Sequence, residues 1–312
     1  MTGRTRPARS RALRYGVGAS ALALLVCGLI AGLSTRTLAT LGSQVSAATA
    51  RGHGEVIRTD GHTVQIRWPA PDEQRTATVV LATSPPPVGT HTEVAYDPRA
   101  PRTVFIPGSA ELAAVDRAAS GLTFSALIGA GVLATLGWQL ITRYRLHRRP
   151  AQPAMVRRVR VQSGLLTRSW LELDSAAAQR WIPVHFDPVL ATLPAPASVE
   201  LHGDPYRHRL VAAEVDGIWL HPSGPVRASE PRGRRIDSPA HPDAEALADG
   251  AGYRHLWTRQ WGADAALLTP APLVGLLWAF LDGGGVRTWA GATALAAALA
   301  LCWAALRGSD PT

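Results

Sequence analysis

Apolar residues in this chain follow two patterns. Four stretches are apolar without alternation: residues 15–33, 121–142, 265–281 and 289–306. A helix needs about 20 mostly apolar residues to cross ~30 Å of hydrocarbon, and the first two stretches meet that length outright. The last two are shorter, and 265–281 carries Pro270 and Pro272, but Gly283-Gly284-Gly285 between them predicts a helical hairpin. Trp278, Trp289 and Trp303 lie near the ends of these blocks, where aromatic belts form. Four membrane spans are therefore expected.

Elsewhere the apolar residues alternate with polar ones, the signature of half-buried strands. Between 34 and 120, Val64, Ile66 and Trp68 alternate with Thr63, Gln65 and Arg67, and Ala77, Val79 and Leu81 repeat the pattern. Val94 with Tyr96, and Val104 with Ile106, add two more runs. Asp60-Gly61 is a hairpin signal, and Asp97-Pro98 marks a turn. About five short strands predict a small barrel or curled sheet of the OB or SH3 type.

Residues 143–221 show a second series: Val159 and Val161, Leu171 and Leu173, Ile182, Val184 and Phe186, Val199 and Leu201, then Ile218 to Leu220. The Pro-rich, Arg-containing stretch 222–243 reads as a disordered loop. Residues 244–264 read as an amphipathic helix. Trp257 and Trp261, one turn apart, place it either in the membrane interface or against the second β-domain. The fold class is thus a multi-pass α-helical membrane protein with two small β-rich, barrel-like domains.

Charge sets the orientation. All 32 basic residues are Arg. Five precede residue 15, whereas only Arg36 closely follows the first span. Arg143, Arg145, Arg148 and Arg149 follow the second, against Arg117 alone before it. By the positive-inside rule the 1–14 tail, 143–264 and the 307–312 tail are cytoplasmic, and 34–120 lies outside the bacterial cell membrane. The first span exceeds the 7–15 residues of a signal-peptide core, so an uncleaved anchor is expected. Cys27 and Cys302 both lie in apolar blocks, which excludes a disulfide scaffold.

One stretch has a familiar pattern. Gly54 and Val56 open a strand pair, followed by Pro87, Gly89, Glu93, Val94, Tyr96, Asp97, Pro98 and Pro101. Over about residues 15–143 this resembles the Domain of unknown function 3592 family. The resemblance implies a small β-domain held between two transmembrane helices, and it supplies no catalytic residues. Val199 to Pro205 parallels Glu93 to Pro98, each a strand ending in Asp-Pro. Either a small β-fold is duplicated or common turn chemistry recurs.

Catalytic motifs are missing: there is no His-Glu-x-x-His, Gly-x-Ser-x-Gly or Cys-x-x-Cys, and no Lys for a P-loop or Schiff base. No catalytic, metal or cofactor-binding residue is assigned, and no cofactor is expected. None of the four apolar blocks contains an ionisable Asp, Glu, Arg or His, which argues against an ion pathway. Gly28 and Gly32 in the first block, and Ala126, Ala130 and Ala134 in the second, predict close helix packing.

The net charge of +9 invites a nucleic-acid reading, but the charge follows topology and no nucleic acid is expected as a partner. Arg157, Arg158 and Arg160, with Trp257 and Trp261, are candidate contacts to the lipid bilayer and its anionic head groups. The reading is a non-enzymatic membrane scaffold that binds lipid and a membrane or envelope protein. The alternative is an envelope enzyme whose site is not visible as a motif.

Overall fold

The computed structural model describes residues 11–69, 73–173, 178–239 and 257–312. The chain divides into two compact units, one of residues 27–130 with 279–285, the other of 1–26, 131–278 and 286–312.

Helix α1 runs over Arg11–Thr37 and continues through a π-turn, Leu38–Gly42, into Ser43–Ala47. Helix α2 is Ala110–Leu146, α3 Trp257–Ala265, α4 Ala271–Leu281 and α5 Val286–Arg307. Among the described residues, four helical stretches are long and apolar enough to cross a membrane: Ala12–Ala47, Ala110–Leu146, Arg259–Leu281 and Val286–Arg307. They overshoot the apolar blocks read from the sequence. The 37 residues of α2 span about 55 Å at 1.5 Å each, so its ends carry polar residues, Arg143 among them, well past its apolar centre. Pro272 falls in the first turn of α4, where a missing N–H costs nothing. Gly283 follows α4 with φ of 60°, a left-handed stop that glycine adopts without strain.

The small-residue seam differs from the expected one. A Cβ on Gly28 or Gly32 would meet nothing within 4 Å, and Ala126, Ala130 and Ala134 are exposed. Instead Ala19 and Ala23 of α1 pack on Ala298, Cys302 and Ala305 of α5. The Cys302 thiol donates to the Ala19 carbonyl at 3.2 Å. At Gly275 a Cβ would collide with Thr293 Oγ1, and would lie 2.8 Å from the Trp289 carbonyl. That glycine lets α4 and α5 touch backbone to backbone.

In the unit of 27–130, β1 (Ala50–Asp60), β2 (Thr63–Pro69), β3 (Gln74–Val80), β4 (His91–Asp97) and β5 (Ala100–Phe105) form an antiparallel sheet in the order β3-β2-β1-β4-β5. The Asp60-Gly61 hairpin forms, with Gly61 at φ 56° and Asp60 opposite Thr63. The alternation is realised: Val56, Val64, Ile66, Trp68, Val79, Leu81, Val94, Tyr96, Val104 and Ile106 make one apolar core. Leu81 bridges to Ser109, curling the sheet toward closure. Asp97 accepts from the Arg99 N–H at 2.8 Å, a local turn contact.

The other unit holds β6 (Ala151–Ser163), β7 (Leu166–Leu173), β8 (Arg180–Val184), β9 (Ala197–His202), β10 (Ala212–Val215), β11 (Ile218–Leu220) and β12 (Arg234–Asp237). The order is β11-β10-β9-β6-β7-β8, with β12 on β6. Its first five strands repeat the arrangement of the first sheet: the leading strand is central, the next two lie on one side, and the fourth and fifth on the other. The two Asp-Pro motifs noted in the sequence fall at the ends of the fourth strands, β4 and β9.

Two readings of this region change. Val159 and Val161 were expected to face the core, with Arg158 and Arg160 outward. The main core instead takes Val156 with Leu171 and Leu173. Arg158, two residues from Val156 and opposite Leu171, shares that face. Val159 and Val161 are buried on the opposite face with Trp170 and Trp181. The 222–243 stretch contains a strand where a disordered loop was expected. Arg235 of β12 pairs with Glu172 at 2.9 Å, Glu230 at 3.2 Å and Asp237 at 2.7 Å, which pins the segment onto β6. Of the expected helix over 244–264, residues 244–256 lie outside the described residues, and α3 begins at Trp257.

Candidate functional site

Polar chemistry gathers where the second sheet meets the helix ends. After α5, Gly308 turns the chain with φ of 68°. Ser309 then bridges to Arg168 of β7, and the Asp310 N–H donates to the Thr167 carbonyl at 2.9 Å. The Asp310 carboxylate, fully buried, meets the Arg158 guanidinium at 2.8 Å and accepts from Ser169. Arg158 also donates to the Leu190 carbonyl at 2.9 Å. Burial alone would raise the Asp310 carboxyl, but Arg158 and the hydroxyls of Ser169 and Thr312 outweigh it and hold the group below the usual carboxylate range.

A second knot adjoins the first. Asp264 of α3 accepts from Tyr15 of α1, from Gln260 at 3.3 Å and from Ser309 at 3.1 Å. Gln260 donates further to the Ser309 carbonyl at 3.2 Å. The two knots tie α1, α3, α5 and the second sheet together through buried polar groups.

A cavity of about 280 Å³ opens beside them. Its lining comes from the end of α2 (Gln139, Thr142, Arg143), the end of α5 (Arg307) and the second sheet (His185, Ser223). Arg143 and His185 are both buried. Arg168 stands behind Gly224 of the wall and donates to Ser223 O and Oγ at 3.1 Å each, and to the Arg307 carbonyl at 2.8 Å. Burial, then the charges of Arg307 and Arg227, lower its pKa to about 10. Burial, then Arg143, His221 and Arg168, push His185 well below the ordinary histidine value. The cavity lining contains no carboxylate among the described residues.

A third group surrounds Trp219 of β11. The rings of His147 and His202 lie 3.8 and 3.9 Å from its centroid. His221 follows, fully buried, with its pKa lowered to about 3 by burial first and then by Arg143 and His147. His202 meets Glu214 at 3.0 Å, and Glu200 stands directly opposite Glu214 across the β9–β10 ladder. Ligand atoms of Glu200, His202 and Glu214 lie within 4.8 Å of one another, so this set could hold a divalent metal. The sequence offered a weak sign of it: Glu200 and His202 are two apart on one strand and share a face, whereas Glu214 arrives from the neighbouring strand.

The structure scatters the residues expected to touch lipid. Arg158 is held inside by Asp310. Arg160 donates to Thr312 at 3.3 Å. Arg157, on the opposite face of β6, is exposed. Trp261 is exposed on α3, and the side chain of Trp257 lies outside the described residues. Arg143 and Arg307 instead line the cavity, with Arg168 behind its wall, from three separate elements. Compared with protein-family models, curated proteins and solved structures, the chain matches none.

Proposed function

We propose that the chain is a multi-pass integral protein of the bacterial cell membrane that serves as a non-enzymatic scaffold. Residues 1–14, the second sheet and 307–312 are cytoplasmic, and the first sheet is outside. The Arg excess beside the spans supports this orientation, and the four long apolar helices support the membrane setting. The observation that carries the scaffold reading is the double polar knot. Arg158–Asp310 and the Tyr15–Asp264–Gln260–Ser309 set hold the second sheet to the helix ends through buried contacts. A sheet tied in this way presents its surface to a partner at a constant height and angle. An envelope enzyme is the competing reading, and the cavity with His185 and Ser223 speaks for it. A nucleophile and base need a third group to orient the base, and among the described residues the lining supplies no carboxylate.

Two measurements test the proposal. Thr83→Cys should react with an impermeant thiol reagent in intact cells and Ser229→Cys should not; labelling of Ser229→Cys alone would invert the orientation. A photo-crosslinking residue at exposed Leu165 should trap one discrete membrane-protein adduct in cells. That adduct should be lost in Asp310→Asn while the chain still inserts. A smear of adducts indifferent to Asp310→Asn would overturn the scaffold.

A further inference from the structure

Three neighbouring strands of the second sheet turn ionisable groups to one face. Alternation puts Glu200 and His202 of β9 on the same side. The ladder sets Glu214 of β10 opposite Glu200, and Trp219 of β11 opposite Glu214. Like charges directly opposite each other on neighbouring strands are destabilising. Among the described residues no guanidinium pairs with Glu200 or Glu214, in a chain with 32 Arg. The group that meets them is His202, more than nine-tenths buried. Both of its ring nitrogens face acceptors: Nδ1 the Arg149 carbonyl at 3.4 Å, and Nε2 the Glu214 carboxylate at 3.0 Å. A neutral imidazole has one N–H. With that hydrogen on Nδ1, the Nε2 lone pair points at a carboxylate oxygen, a contact that only a cation makes favourable. A backbone carbonyl holding one nitrogen while the other is left to the ion is the arrangement that orients a metal-ligating histidine. Trp219 stacks on the ring at 3.9 Å and 29°, which fixes its plane.

We propose that Glu200, His202 and Glu214 bind a divalent transition-metal ion of the zinc class. Their ligand atoms lie within 4.8 Å of one another. Around a tetrahedral ion with bonds of about 2.1 Å, ligand atoms are roughly 3.4 Å apart, so small side-chain rotations complete the set. Glu200 is exposed and can make them. Calcium takes about 6–8 oxygen ligands, and magnesium keeps an octahedral shell of oxygens. A buried imidazole nitrogen with two carboxylates suits zinc better. The ion neutralises the facing glutamates and joins β9 to β10. Three protein ligands leave a fourth position for water. Trp219 also touches His147, just after α2, so the site borders that helix end. The site does not depend on which side of the membrane the second sheet occupies.

The full chain, purified in neutral detergent without a histidine tag and stripped with a chelator, tests this by isothermal titration and native mass spectrometry. The probes are Zn²⁺, Mg²⁺ and Ca²⁺. The expected result is a single Zn²⁺ per chain, with Mg²⁺ and Ca²⁺ weaker by about tenfold or more. Glu200→Gln, Glu214→Gln and His202→Ala should each weaken Zn²⁺ by about tenfold or more, a loss that even outer partners of metal ligands cause. His91→Ala, at an exposed position of the first sheet, should leave binding unchanged. Glu200→Gln, at an exposed position, serves if a change at His202 or Glu214 prevents folding. The proposal is overturned if no Zn²⁺ binds, which would leave His202 and Glu214 as a pair joined by a proton alone. It is equally overturned if Mg²⁺ or Ca²⁺ binds as tightly, or if Zn²⁺ binding is the same in the Glu200→Gln, Glu214→Gln and His91→Ala proteins.

Discussion

The two sheets share a strand order and differ in what they bury. The first closes around ten apolar residues, and its histidines, His53, His62 and His91, are all exposed. The second has an apolar core of its own, yet its unit also contains every buried charged residue among those described: Arg143, Arg158, Glu172, Asp264 and Asp310, with His185, His202 and His221. One arrangement of strands is stabilised by apolar burial alone. The other couples that burial to ion pairs and hydrogen bonds reaching distant helices. The shared order, with the Asp-Pro motif on the same strand of each, favours duplication over chance turn chemistry.

The largest effect should come from breaking the buried pair. Asp310→Ala leaves the Arg158 guanidinium buried without its counter-charge, a loss of about 3–5 kcal/mol. Chemical denaturation monitored by hydrogen exchange should show the second sheet opening first while the first keeps its protection. Replacing both partners, Arg158→Met with Asp310→Leu, should recover most of that loss. If Asp310→Ala destabilises both sheets equally, they are not separate in energetics.

Next in size is Ile66→Ala in the first sheet. This fully buried side chain should cost about 2–5 kcal/mol, with the hydrogen-exchange pattern reversed. Acid should separate the sheets as well. His185 and His221 have depressed pKa values in the folded chain, His221 at about 3. Their neutral forms are compatible with full stability above about pH 6.5, the unfolded histidine value. Below that the unfolded chain binds more protons, so stability falls as pH drops toward 3. The second sheet should lose exchange protection between pH 6.5 and 4, and His221→Phe should blunt the loss. Equal sensitivity in both sheets would contradict the assignment. The smallest effect belongs to Arg235→Gln. Arg235 is itself about a third exposed, Glu230 and Asp237 are exposed, and buried Glu172 keeps its bond from Gln179, so the loss should stay at about 1 kcal/mol, and faster exchange should be confined to β12.

What was legible in the sequence follows the same division. Val64, Ile66, Val79 and Leu81 alternate, and all four are buried as that alternation requires. Period-2 patterning reports burial well when the core is purely apolar. On β6 it misled, because both faces are covered and the charge on the core face is neutralised from far away. Nothing near Arg158 in sequence announces Asp310, since local periodicity carries no information about a partner 152 positions on. The cavity was hidden for the same reason: Arg143, Arg168 and Arg307 belong to different elements, and each alone reads as a surface or topology residue. The strand at 234–237 was missed because its anchor is the Arg235 ion cluster, and composition alone reads as disorder.

The Arg158–Asp310 pair also orders events during synthesis. Ribosomes add about 5–20 residues per second, so a guanidinium made at position 158 waits on the order of ten to thirty seconds for a carboxylate 152 residues later. Until the α4–α5 hairpin has been made and has carried that carboxylate into place, the second sheet is translated but unfinished, with a charge in its core and an open edge. A chain stalled before the hairpin is therefore recognisable to a protease by that sheet, whereas the first sheet is already complete and gives no sign. Proof that all the helices have arrived is thus built into a domain that lies earlier in the chain.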